Sequence, residues 1–277
     1  MNINKDTQVC ISIAERPGNF GSNIFNAGFK AMSLDFIYKP FKVLESELEN
    51  SVKGIRAFNI RGCGVSMPHK VKVMSYLDYI DPVAEKIGAI NTIVNNQGIL
   101  SGYNTDFVGA KKVLAEFYDV RAKKALIIGA GGVSRAIIMA LKESGASEIF
   151  LTNRDESKGK KVAQELNLEY CAFDKKADLK VDLLINATSV GMSPLEKETI
   201  LDRKFLRNYH SVMDVIIYPP ETLLMSNAKK EGKVVIPGYK MALYQAMEQF
   251  RLYTGQEPPL DMMLWNINNF LNNQARR

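Results

Sequence analysis

A chain of 277 residues can hold one large domain or two medium ones with real cores. Hydrophobic residues make up 46% and charged residues 24%, and nowhere do about 18 apolar residues run uninterrupted, so a globular protein without a membrane span is expected. The formal net charge of +6 suits an anionic ligand, but the basic residues are interleaved with Asp and Glu, so no nucleic-acid partner is expected.

The polar stretch Met1 to Gln8 has no apolar signal core, and Cys10, Cys63 and Cys171 match no metal-ligand spacing. Reduced thiols, a cytoplasmic location and the absence of a metal site are the expectations. Val9 to Ile13 reads as a strand, Asn23 to Met32 as a helix, Phe36 to Tyr38 as a strand and Glu45 to Val52 as a helix. A strand ending near Met67, a helix from His69 to Tyr76 and the runs 90–94 and 99–100 follow, the last two joined by a hairpin turn at Asn95-Asn96-Gln97-Gly98. A helix from Phe107 leads to the polar break Arg121-Ala122-Lys123-Lys124, which marks a candidate domain junction.

Beyond it the alternation of strand and helix becomes regular. Ala125–Ile128, Glu148–Leu151, Val181–Ile185 and Val212–Ile217 are short and almost wholly apolar, as parallel strands buried on both faces are. Tyr239 to Tyr253 reads as a long helix closed by Gly255, and a last helix covers roughly Asp261 to Asn272. The fold class is α/β, in two domains.

Gly129-Ala130-Gly131-Gly132-Val133-Ser134 lies between the apolar run Ala125–Ile128 and an amphipathic stretch, Ala136 to Glu143. That context fits the phosphate loop of a dinucleotide-binding Rossmann domain: one glycine for the tight turn, a second for close approach of a pyrophosphate, and free N–H groups where the helix begins. Ser134 stands where a third glycine is common. The next strand ends in Asn153-Arg154-Asp155; Arg154, helped by Lys158, suits the 2′-phosphate of NADP, whereas Asp155 speaks for NAD.

A nicotinamide enzyme acting on an alcohol needs a base for the hydroxyl proton. The sequence contains two histidines, His69 and His210. Tyr38 and Lys42 form a YxxxK pair, but they precede the glycine loop and span Pro40. Lys70, at the end of Ser66-Met67-Pro68-His69-Lys70, is the better candidate, with Asp106 as its orienting carboxylate. A lysine used this way needs a lowered pKa and a paired acid. The plainer readings are a solvated surface lysine and an N-capping aspartate.

These residues, with Ile90-Asn91-Thr92, Gly102-Tyr103-Asn104-Thr105-Asp106, Asn186-Ala187-Thr188-Ser189-Val190-Gly191-Met192 and the segment Met241 to Gln245, occur in an order that resembles the shikimate dehydrogenases over nearly the whole chain. The resemblance implies NADP-dependent interconversion of shikimate and 3-dehydroshikimate without a metal, a step of aromatic amino acid biosynthesis. It implies Lys70 and Asp106 as the catalytic pair and Asn91 and Gln245 as substrate contacts. Thr188, Val215 and Gly238 would lie near the nicotinamide half of the cofactor, beside Gly129, Ala130, Gly131, Gly132, Val133, Asn153, Arg154 and Lys158 in the remainder of its site. It also implies a discontinuous substrate domain, 1–106 completed by the helices of 239–277, with a Rossmann domain inserted at 107–238, as a monomer or homodimer.

The departures gather at the substrate end. The first motif of the family presents two serines, and here Asn19-Phe20-Gly21-Ser22-Asn23 keeps Ser22 alone. The motif before the lysine begins with Asn and has Thr two places on, and here those positions are Gly64 and Ser66. A Tyr expected after Asp214 falls on Ile217, and Phe107 follows Asp106 where Gly is usual. With hydrogen bonds to charged groups worth about 1.5–3 kcal/mol each, these losses point to a shikimate dehydrogenase-like paralogue acting on shikimate or a close hydroxylated cyclohexene carboxylate. The alternative is a non-catalytic, NADP-binding regulatory protein that keeps the fold.

Overall fold

The computed structural model describes residues 3–274 and divides the chain into two units, residues 1–105 with 245–277 and residues 106–244. Asp106 and residues 239–244, which the family resemblance assigned to the substrate domain, thus fall in the second unit. The break at Arg121–Lys124 is a turn inside that unit, where Ala122 has φ +55° and its N–H donates to Gly145 O.

The first unit is built on a six-stranded mixed sheet. Its strands are β1 (Gln8–Ala14), β2 (Phe36–Lys42), β3 (Gly62–Val65), β4 (Tyr79–Ile80), β5 (Thr92–Asn96) and β6 (Ile99–Tyr103), in the order β2-β1-β3-β5-β6-β4. Helix α1 (Phe20–Ala31) connects β1 to β2, and α2 (Leu48–Ala57) connects β2 to β3; all three strands are parallel. Ile11, Ile13, Val65 and Ile93 pack on Leu48, Val52 and Ile55 of α2. The turn between β5 and β6 has positive φ at both Gln97 and Gly98, as a two-residue turn of the right hand for a twisted hairpin requires.

An aromatic layer ties the C-terminal segment into this unit. Phe25 stacks on Tyr38 with ring centroids 4.6 Å apart, and the residues after 244 bring Phe250 to within 5.3 Å of Phe29 and Tyr253 to within 5.9 Å of Phe25. A Cβ at Gly62 would lie 2.2 Å from the Tyr253 ring, so only glycine lets that ring lie on β3. Arg61 donates to Tyr253 O at 2.8 Å, closing the backbone of the returning helix. Burying two such rings contributes about 2–3 kcal/mol each, enough to hold a segment that is remote in sequence.

Two departures from the sequence reading follow from local bonding. The stretch His69 to Tyr76 is not an α-helix: a 3-10 turn covers Lys72–Tyr76, and Lys70 O accepts from Ile90 N at 2.8 Å while Met74 N, its helical partner, donates to Val71 O instead. Helix α3 (Pro82–Ile87) was not read at all. It is capped by Asp81, whose side chain accepts from Val83 N and Ala84 N, and closes at Gly88 with φ +69°.

The second unit begins with α4 (Thr105–Phe117), whose first residue still belongs to unit one, and contains a six-stranded parallel sheet. Its strands are β7 (Lys124–Ile128), β8 (Glu148–Thr152), β9 (Glu169–Tyr170), β10 (Leu183–Asn186), β11 (Ser211–Asp214) and β12 (Val234–Pro237). Helices α5 (Gly132–Glu143), α6 (Glu156–Glu165) and α7 (Leu223–Lys230) connect them, and α8 (Gly238–Thr254) carries the chain out; α9 (Leu260–Gln274) ends it. Alternate residues serve opposite faces: Ala125 and Ile127 join one core, Leu126 and Ile128 the other. The order β9-β8-β7-β10-β11-β12 reads 3-2-1-4-5-6 from the first strand, the doubly wound order of the Rossmann fold. The expected α/β class and its Rossmann part are therefore what the chain forms.

Candidate active site

In an open parallel sheet, ligands bind beyond the carboxyl ends of the strands, where the order reverses. Here the reversal lies between β7 and β10. Gly129 follows β7 with φ +118°, and a Cβ there would meet Ala187 O, just after β10, at 2.6 Å. Gly131 stands at the N-cap of α5 with open space where its Cβ would be. Ser134, fully buried, accepts from Gly131 N at 3.3 Å, so the residue standing at the third-glycine position staples the loop from inside. No acidic residue lies in the first turn of α5, which leaves that helix end fit for a pyrophosphate.

The other proposed cofactor positions follow the same rim in strand order. After β8, Asn153 Nδ2 donates to Asp155 O at 2.8 Å, and Asp155 caps α6 by accepting from Lys158 N at 3.0 Å. The carboxylate that weighed against a 2′-phosphate is thus engaged with a helix N-terminus. Arg154 and Lys158 are exposed beside it, and neither side chain has an ion-pair partner among the described residues. After β10, Thr188 donates to Asn186 Oδ1 at 2.7 Å while Asn186 Nδ2 donates to Asp214 Oδ1 at 3.2 Å. Asp214, at the end of β11, is fully buried and also accepts from Thr222 Oγ1 at 2.7 Å and from Ile216 N at 3.1 Å. Burial pushes its carboxyl up to about 6 against the pull of those three donors. Gly238 closes the rim, where a Cβ would fall 2.4–2.6 Å from the backbone of residues 214–216, next to Val215.

In the first unit, the start of β5 and the residues just after β6 form one hydrogen-bonded cluster around Asn91. Asn91 Oδ1 accepts from Thr105 N at 2.7 Å, Thr92 Oγ1 at 2.8 Å and Thr105 Oγ1 at 3.1 Å. Its lone pairs are saturated, so the amide orientation is set and Nδ2, which donates to nothing among the described residues, is the face left for a ligand. Asn91 O accepts from Val65 N at 2.7 Å, just before Ser66, and Lys70 O accepts from the adjacent Ile90 N. Asp106 follows Thr105 directly, one peptide (about 3.8 Å between Cα atoms) from a residue bonded to Asn91. Gln245 Nε2 is buried without a hydrogen-bond partner among the described residues, a second donor left for a ligand.

Several residues weighed from the sequence are engaged elsewhere or lie apart. Ser22 Oγ donates to Asn19 O at 3.0 Å within its own helix turn, and Phe20 packs edge-on against Phe270 with centroids 6.0 Å apart, so that ring serves helix packing. His69 is buried with Nε2 2.9 Å from Val43 O, and His210 is exposed beside Asp182. Tyr38 is buried while Lys42 is exposed, so they make no dyad. Gln249 was missed: Nε2 donates to Thr92 Oγ1 at 2.8 Å and to Asn91 O at 3.1 Å, and nothing in its local sequence signals that contact. Among the described residues no group of three or more His, Cys, Asp or Glu is placed to hold a metal ion. No helix among them is long and apolar enough to cross a membrane.

Family models match along the chain: the shikimate dehydrogenase substrate binding domain over residues 20–93, shikimate/quinate 5-dehydrogenase over 110–220, and the shikimate 5′-dehydrogenase C-terminal domain over 238–264. The chain belongs to the shikimate dehydrogenase family. A shikimate dehydrogenase-like protein of Haemophilus influenzae is 38% identical, with 92% of this chain and 94% of that protein covered. A shikimate dehydrogenase (NADP(+)) of Methanobrevibacter smithii is also 38% identical, over 88% of this chain and 90% of that one. A crystal structure of a shikimate dehydrogenase in complex with NADP+ superposes with a TM-score of 0.89 at 36% identity, covering 98% of each chain.

Proposed function

We propose that this family member is an NADP-dependent oxidoreductase that interconverts a ring CH–OH and its ketone, on shikimate or a close hydroxylated cyclohexene carboxylate. Membership of the family supports the reaction class, and the relatives named for NADP support the cofactor. The observation in this chain that carries the reading is the fixed Asn91 amide. Its side chain holds Thr105, the residue before Asp106, while its main-chain carbonyl accepts from Val65 N and the adjacent Ile90 N–H donates to Lys70 O.

NADP, when bound, supplies the hydride acceptor in one direction and the donor in the other. The loop Gly129–Val133 and the first turn of α5 would hold its pyrophosphate, Asn153, Arg154 and Lys158 its adenosine end, and Thr188, Val215 and Gly238 its nicotinamide end. Lys70 takes the hydroxyl proton as the alcohol is oxidised and returns it on reduction, with Asp106 orienting the amine; the scheme needs no metal. Asn91 Nδ2 and Gln245 Nε2 donate to substrate oxygens, and Ser66 is left to meet the carboxylate, since the Ser22 hydroxyl already donates to Asn19 O. The test is initial rates with shikimate and quinate, each with NAD and NADP, for the wild type, Lys70→Ala and Asp106→Asn. Turnover with NADP and a loss of about 10²-fold or more in kcat for both variants is expected. Rates equal in all three proteins would reject a catalytic pair and favour a binding protein.

A further inference from the structure

Gly64 lies on β3 at the position where the family resemblance leads an asparagine to be expected, and the space any side chain there would need is already filled. A Cβ at Gly64 would sit 2.9 Å from Tyr38 Oη, 3.4 Å from Ser12 Cβ and 3.6 Å from Gln249 Nε2. Tyr38 is held by stacking on Phe25 and by a hydrogen bond with Ser12. Gln249, on α8, is 5% exposed. A polar side chain this buried must be bonded or costs free energy, and its Nε2 is fully committed to Asn91 O and Thr92 Oγ1. Because a carbonyl oxygen can only accept, these bonds fix which end of the amide is nitrogen. Oε1 accepts no hydrogen bond among the described residues.

We propose that Gln249 is a specificity-determining residue, supplying from α8 the amide that β3 lacks at Gly64 and reading a hydroxyl of the ring substrate. The proposal rests on the functional reading above and deepens it. Gln249 acts in two ways. Its Oε1 accepts from a ring hydroxyl, and its Nε2, through Thr92, braces the Asn91 amide whose Nδ2 donates to a ring oxygen. An acceptor and a donor set side by side suit a polyhydroxylated ring, since each hydroxyl both gives and takes a hydrogen bond.

The test pairs Gln249→Met, which keeps the volume and removes the amide, with Gln249→Ala, and measures KM and kcat for the preferred ring substrate and for analogues each lacking one hydroxyl. The expected result for Gln249→Met is a rise of about tenfold in KM for the full substrate with kcat within about threefold. For one deoxy analogue the variant raises KM clearly less than for the full substrate, because the hydroxyl that Oε1 reads is already gone and only the bracing of Asn91 is lost. An equal loss on every analogue shows a merely structural glutamine and overturns the proposal, as does a wild-type KM in both variants. A wild type that turns over no ring substrate with NADP overturns the functional reading itself, and this inference with it.

Discussion

Asp214 is the sharpest place to test the second unit by its chemistry. The ordinary value for its carboxyl is 3.8, and burial pushes it up to about 6 in the folded chain. A group that holds its proton more tightly folded than unfolded stabilises the fold below the unfolded value and loses that contribution as pH rises through the folded one. The difference is worth roughly 3 kcal/mol at about 1.4 kcal/mol per pH decade. Stability without cofactor should therefore fall between about pH 4 and pH 6 through this residue. Asp214→Asn keeps the shape and cannot titrate. Its amide oxygen can still accept from Asn186 and Ile216, while Thr222 must turn its hydroxyl to accept, at a cost of about 1 kcal/mol. Urea unfolding of the wild type and variant, at half-unit steps from pH 4 to pH 7, should give curves that converge or cross, with a difference that changes by roughly 3 kcal/mol. Curves that stay parallel would show that the Asp214 carboxyl is not destabilised by its surroundings.

Two further outcomes bear on the cofactor rim. Gly129→Ala places a side chain at φ +118° and 2.6 Å from Ala187 O, so it should cost about 1–3 kcal/mol in strain alone and abolish the saturable change in protein fluorescence on adding NADP; unchanged melting and binding would refute the loop assignment. Arg154→Ala should raise KM for NADP by roughly tenfold to a hundredfold and leave KM for NAD within twofold, measured side by side; an equal rise for both would place the 2′-phosphate elsewhere.

The Rossmann half is legible in the sequence because most of its strands are short apolar runs buried on both faces, and because glycines mark the phosphate-loop turn, where Gly129 has φ +118°. The hairpin at Gln97-Gly98 is legible for the same reason. What escaped reading is short or edge-placed: β4 and β9 have two residues each, too few to show a period. Helix α3 did carry signals in Asp81-Pro82 and Gly88, but its six residues make less than two turns. The stretch His69–Tyr76 failed otherwise. Its composition is helical, and a tertiary bond from Ile90 N to Lys70 O takes the carbonyl a helix would use.

The site was legible only where function lies in local backbone. A helix N-terminus behind glycines and an Asp cap ahead of α6 are patterns of neighbours in sequence, so Asp155 could have been read as a cap from Asp155-Glu156 opening a helix. Position 64 is the opposite case. Read along the chain, Gly64 is a lost polar contact, and losses of that kind sum to a weakened site only if each motif stands by itself. In space the vacancy is a place on a strand, and any element that reaches the strand can fill it; here α8 does, with a residue 185 positions later. Loss and gain are then one change in which backbone carries the amide. Drift within a motif is evidence of altered recognition only after the neighbours of the missing side chain have been identified.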